Sequence, residues 1–91
     1  MSRLDDAAIA TALRRASGWE RKGDEIRRAY RFRDFREALA FVNRVGELAE
    51  RAGHHPDIDI RYNTVTLALT THDAGGLSDK DFELARAIDA G

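Results

Sequence analysis

Apolar residues recur with two different periods along this chain, and the change of period divides it into seven elements. Leu4, Ala7, Ala8 and Leu13 fall at helical spacing within residues 4–16, with Ser2 as the predicted N-cap and Gly18 as the stop. Trp19 to Lys22 reads as a short strand, followed by a turn at Gly23-Asp24. From Ile26 to Arg33 the period becomes two. Ile26, Arg28, Tyr30 and Phe32 share one face, and Arg27, Ala29, Arg31 and Arg33 share the other. The two runs predict a hairpin.

Asp34 is then a good N-cap, with Glu37 three residues on to complete the capping signature. Leu39, Val42, Val45, Leu48 and Ala49 supply the stripe of a long helix over 35–52, widened by Phe35, Ala38 and Phe41. Gly53 ends that helix and Pro56 lies just beyond. Two more alternating runs, 57–62 and 64–70, meet at a tight connection, Tyr62-Asn63-Thr64, and predict a second hairpin. Ser78 caps a last helix with Asp81 at N3, and Phe82, Leu84, Ala85 and Ile88 form its apolar side. The predicted order is α-β-β-α-β-β-α. That is an α+β single domain over 1–91, a four-stranded antiparallel sheet with three helices on one face.

Composition narrows what such a domain can be. A chain of 91 residues builds one core, burying somewhat over ~60% of its unfolded surface, so self-association is a natural supplement to stability. No cysteine is present, which removes disulfides and thiolate metal sites. The N-terminal stretch lacks the apolar region of a signal peptide, and no apolar run approaches the ~20 residues of a membrane span. A cytoplasmic protein with no membrane partner is expected. The net charge of −1 gives no general attraction to nucleic acid. Arg27, Arg31 and Arg33 do share a strand face, but Ala29 interrupts them and no aromatics interleave for base stacking. A solvated sheet face with no direct nucleic-acid contact is the reading adopted.

All three histidines fall between residues 54 and 72, at what should be one end of the second hairpin. If that hairpin turns about Asn63, paired residue numbers sum to about 126, and His54 comes opposite His72. Imidazoles sharing a cleft suit proton transfer, since an unperturbed pKa of about 6.5 permits donation and acceptance near neutrality. Loop histidines that cap backbone groups would give the same clustering. A zinc site completed by Glu50 or Asp73 is a third reading. It fits less well, because the adjacent His54 and His55 should point in different directions and the spacing is not a usual ligand pattern.

An ordered set of residues resembles the pterin-4a-carbinolamine dehydratase family. Glu50-Arg-Ala-Gly-His54-His55-Pro56 is followed by Tyr62-Asn63, by Thr70-Thr71-His72-Asp73-Ala-Gly-Gly-Leu77 and by Asp81. Upstream, Gly18-Trp19 and Phe32-Arg-Asp-Phe35 also fit, so the resemblance covers essentially the whole chain. It implies an enzyme, a hydro-lyase that dehydrates 4a-hydroxytetrahydropterin to quinonoid dihydropterin without metal or redox cofactor. The substrate would come from an aromatic amino acid hydroxylase, in tetrahydrobiopterin recycling.

By matched position, the resemblance makes His54 and His72 the acid/base pair and His55 a substrate-orienting residue. It makes Glu50 a carboxylate holding a histidine in its useful tautomer, Pro56 a rigid wall and Asp81 a group tuning His72, for which a capping-box acid bonded to the backbone near Ser78 is an equal reading. Trp19 matches a tryptophan near the family's site, where a flat ring could pack on a pterin, although a core tryptophan on a short strand is the commoner outcome. Asp57-Ile58 departs from the acid-Trp pair that many relatives carry after His-His-Pro, which removes an aromatic from the pocket. The resemblance further implies a homo-oligomer, tetramer before dimer, built partly on the helix over 35–52. Animal members also act as dimerisation partners of a transcription factor, an alternative role on the same scaffold.

Overall fold

The computed structural model describes residues 2–91. Its element order is α1 (Asp6–Arg14), β1 (Glu20–Lys22), β2 (Glu25–Arg31), α2 (Phe35–Ala52), β3 (Asp57–Arg61), β4 (Thr64–Leu69), a 3₁₀ turn (His72–Ala74) and α3 (Asp79–Ala90). The strands form one antiparallel sheet in the order β1-β2-β4-β3. The expected α+β arrangement is therefore present.

Strand parity decides which side of the sheet is covered. Ile26 pairs with Leu69, Arg28 with Leu67 and Tyr30 with Val65, so the even positions of β2 share a face with the buried positions of β4. The opposite face carries Arg27, Ala29 and Arg31 beside Thr64, Thr66 and Ala68. Ile26, Val65, Leu67 and Leu69 form one core with Ile9 of α1, with Ala38, Phe41, Val45 and Ala49 of α2, and with Phe82, Leu84, Ala85 and Ile88 of α3.

Local chemistry sets the helix ends. Asp5, not Ser2, is the N-cap of α1, its carboxylate accepting from Ala8 N at 2.8 Å. Helix start signals at Ser2 and Asp5 compete, and the acid one turn nearer the apolar positions wins. Asp34 caps α2 by accepting from Glu37 N, while the Glu37 carboxylate reaches back to Arg33 N rather than to the cap residue itself. At the other end Gly53 takes φ +62°, with Gly53 N bonded to Glu50 O and His54 N to Ala49 O. This double closure is a Schellman motif, and it fixes the direction in which the chain leaves the helix at His54.

Two expectations change. The buried side of α2 is Ala38-Phe41-Val45-Ala49, at i, i+3, i+7 and i+11. Phe35 and Leu39 stand on its flank, 47% and 39% exposed, because the two alanines let the helix sit close to the sheet along that line. The second hairpin also turns differently. Arg61 pairs with Thr64 and Asp57 with Ala68, so partner numbers sum to 125. The connection is a two-residue turn, Tyr62-Asn63, rather than one centred on Asn63. Tyr62 takes φ +52°, and the Asn63 side chain is tied to Phe32 O.

Candidate active site

The register correction matters at the open end of the hairpin. The ladder ends at Asp57–Ala68, and a sum of 125 carried past it sets position 54 against Thr71 rather than His72. Thr71 is indeed the residue that shares a partner with His54. Asp81, fully buried in the first turn of α3, takes His54 Nε2 on Oδ1 at 2.6 Å and the Thr71 hydroxyl on Oδ2 at 2.9 Å. Ser78 N also donates to Oδ2, at 3.0 Å. Since Thr71 gives its proton to Asp81, the 2.7 Å contact between Thr71 and Ser78 hydroxyls must be donated by Ser78.

The result is a directed network. Both oxygens of Asp81 accept, at a helix N-terminus where a carboxylate is favoured. The His54 ring is held with Nε2–H on the carboxylate, which leaves Nδ1 as the nitrogen open to a ligand. The carboxylate that the resemblance assigned to tuning His72 is hydrogen-bonded instead to His54 and Thr71.

His55 is oriented separately. Its Nε2 meets Glu50 Oε2 at 2.5 Å, with both side chains well exposed. Glu50 lies in the last turn of α2, so the helix that directs His54 also carries the partner of His55. The two adjacent imidazoles therefore reach carboxylates on different helices. His72 begins the 3₁₀ turn inside a loop closed by reciprocal Thr71–Gly76 backbone bonds. Of the three histidines, it alone makes no side-chain hydrogen bond to another described residue.

A cavity of about 280 Å³ brings the three together, lined by His54, His55 and His72 with Thr71, Asp73 and Lys80. Not every expected residue joins it. Pro56 is half-buried at the entry to β3 but does not line this space. Trp19 is 5% exposed, packed edge-on to Tyr30 with its indole N–H donating to Asp89 at 2.8 Å. It is a core residue, because a bulky ring on the helix-covered side of the sheet finds its partners there.

Lys80 went unnoticed in the sequence. Its signal was a cation in the first turn of a helix, between Asp79 and Asp81, where the dipole disfavours positive charge. Thr71 and Ser78 were likewise missed as members of the network.

Comparison with known proteins gives this geometry a context. A family model described as pterin 4 alpha carbinolamine dehydratase matches residues 2–91. A chain from Thermomicrobium roseum, provisionally named a pterin-4-alpha-carbinolamine dehydratase, is 62% identical over 88 residues, covering 97% of this chain and 95% of that one. The crystal structure of a transcriptional coactivator/pterin dehydratase from Brucella melitensis superposes with a TM-score of 0.94 at 33% identity, covering 98% and 97% of the two chains. A pterin dehydratase-like protein identified as a RuBisCO assembly factor shares the fold, with a TM-score of 0.65 at 20% identity over 79% and 83%.

Proposed function

The chain belongs to the pterin-4a-carbinolamine dehydratase family, and from that premise we propose that it dehydrates 4a-hydroxytetrahydropterin to quinonoid dihydropterin. The observation that carries the reading is a single cavity lined by three imidazoles, one of them backed by a buried carboxylate. Dehydration requires a proton delivered to the departing 4a-hydroxyl and one withdrawn from the neighbouring ring nitrogen. The C–O bond breaks, the electrons of the N–H bond form the new C=N bond, and water leaves.

His54 suits the base. Its Nδ1 accepts the ring proton while Asp81 stabilises the resulting imidazolium through Nε2, a role that needs no movement during the reaction. His72, unbound to other described side chains, suits the acid that protonates the leaving hydroxyl. His55, steadied by Glu50, orients the pterin from the remaining wall. Such placement supports a ~100 to 10,000-fold gain from general acid–base catalysis. Neither step calls on a metal or redox cofactor.

We further propose a cytoplasmic homotetramer. Among the described residues no helix is long and apolar enough to cross a membrane. The strand order leaves the edges of β1 and β3 unpaired. Ile58 on the edge strand β3 and Phe35 and Leu39 on α2 are exposed apolar groups, suited to sheet extension and helix pairing. The Brucella relative's description adds a coactivator role to the dehydratase, and the same α2 surface would serve a heterologous partner. Light scattering distinguishes them: a fourfold protomer mass supports the tetramer, whereas a monomer contradicts it.

The activity is tested with enzymatically generated 4a-hydroxytetrahydropterin, its decay followed by ultraviolet absorbance with and without EDTA-treated protein. Accelerated decay is expected. Decay at the uncatalysed rate in the presence of folded protein would exclude the dehydratase reading.

A further inference from the structure

His54 borders a second space. A cavity of about 430 Å³ lies between α2 and α3, and His54 and Lys80 line both it and the histidine cavity. That volume falls within the ~300–1,000 Å³ usual for small-molecule sites. Leu48, Arg51 and Ala52 form its α2 wall, at i, i+3 and i+4. Lys80, Glu83, Leu84 and Ala87 form its α3 wall, at i, i+3, i+4 and i+7. Each set is therefore one face of its helix. Relative to the buried line of α2, this is the flank opposite Phe35 and Leu39.

The two helices run antiparallel, and that grades the cavity from charged to apolar. At one end His54, just past α2, bonds Asp81 in the first turn of α3. At the other, the Arg44 guanidinium donates to Ile88 O at 2.9 Å. Arg51 and Lys80 thus lie toward the His54 end, with Glu83 one turn further along α3. Leu48, Leu84 and Ala87 supply the apolar end. None of Arg51, Lys80 and Glu83 has an ion pair with another described residue. Two cations and one carboxylate, unpaired at the head of an apolar slot, suit a ligand that carries both charges at one end.

We propose that this cavity is a binding site for an α-amino acid with an apolar side chain. Arg51 and Lys80 receive the carboxylate, Glu83 the ammonium, and Leu48, Leu84 and Ala87 the side chain. An apolar acid without the ammonium leaves Glu83 facing a second carboxylate, and an amine alone leaves the two cations unpaired. Because His54 stands in the wall of both cavities, an occupant here adjoins the reacting space. The inference does not rest on the dehydratase reading, since binding is read without turnover.

Isothermal titration calorimetry with L-leucine, 4-methylpentanoate and 3-methylbutylamine tests the site. The last two are leucine without its ammonium and without its carboxylate. Leucine should bind saturably, and each of the others about tenfold or more weaker, the size of one hydrogen bond to a charged group. Glu83→Gln should weaken leucine by about tenfold and leave 4-methylpentanoate no weaker. Arg51→Gln should weaken both acids and leave 3-methylbutylamine unchanged. Ala87→Trp, which fills the apolar end, should abolish binding of all three. Arg51, Glu83 and Ala87 are exposed, so the variants should melt as wild type does. No saturation of folded wild type by leucine up to about 10 mM overturns the site. So does equal affinity for leucine and 4-methylpentanoate, or leucine binding that survives Ala87→Trp. A lower assembly mass in Ala87→Trp, with no leucine binding to wild type, would make the groove a contact between copies and likewise overturns the proposal.

Discussion

α3 carries an aspartate network at each end, and the two make opposite use of the same residue type. Asp81 sits in the first turn, where the helix dipole stabilises it, and collects His54, Thr71 and the Ser78 backbone. Asp89 sits in the last turn, where the dipole opposes it. It is offset there by three donors: Trp19 Nε1 at 2.8 Å, Tyr30 Oη at 2.6 Å and Arg28 Nη1 at 3.1 Å.

The donors make the difference. Each of the three at Asp89 is committed. Arg28 also bonds Ser17 O and lies over the Tyr30 ring, 4.6 Å from its centroid, so the cluster ties the end of α3 to the sheet and to the chain before β1. The imidazole at Asp81 keeps one nitrogen without a hydrogen-bond partner, on a residue that lines a cavity. A carboxylate whose partners are all satisfied is a fastener. One whose partner retains a free nitrogen can transmit its charge to a ligand.

Substitutions at the two ends should separate chemistry from stability. The largest expected effect is in turnover: His54→Ala and His72→Ala should each lower kcat by about 100-fold or more, with the fold retained by circular dichroism. Full activity in both variants would refute the assigned roles. Next comes Asp81→Ala, which strands a buried hydroxyl and a backbone N–H. A loss of about 3 kcal/mol in denaturant unfolding is expected, alongside reduced turnover. Asp89→Asn keeps an acceptor but loses the charge that faces Arg28. It should cost about 1–2 kcal/mol and change kcat less than about twofold. A large drop in kcat there would show that the two ends are not independent.

The smallest effect concerns Tyr30. Burial, then the hydrogen bond to Asp89 and its charge, push the phenol above its ordinary range, with Arg28 and Arg44 opposing. A raised folded pKa favours the neutral phenol. Its contribution is complete below about pH 10, the unfolded value, and disappears as pH rises through the folded one. Tyr30→Phe should therefore flatten the alkaline decline in stability. An unchanged decline would detach Tyr30 from Asp89.

Much of this arrangement can be read from sequence where the signal is local. The parity of β2, the Asp34 cap, the Gly53 stop and the Phe82-Leu84-Ala85-Ile88 face all follow from neighbours within one or two turns. The clustering of the histidines at one end of the hairpin is also legible, since loop length limits where they can go. Pairings across long sequence separations are not. Asp81 meets His54 because α3 packs beside α2, 27 residues away in sequence, and nothing near His54 records that. Asp89 looks like an exposed helix-end acid until β2 brings Arg28 and Tyr30 beneath it. Trp19 reads either as a pterin-packing ring or as a core residue, and its indole N–H donates to that same carboxylate, a partner 70 residues away that the sequence does not point to.

One assay compares the two ends directly: the rate of 4a-hydroxytetrahydropterin dehydration for wild type, Asp81→Asn and Asp89→Asn, at a temperature where all three remain folded. The account predicts catalysis by wild type and by Asp89→Asn within about twofold of each other, and a loss of about tenfold or more in Asp81→Asn. No catalysis by wild type, or equal losses in the two variants, would contradict it.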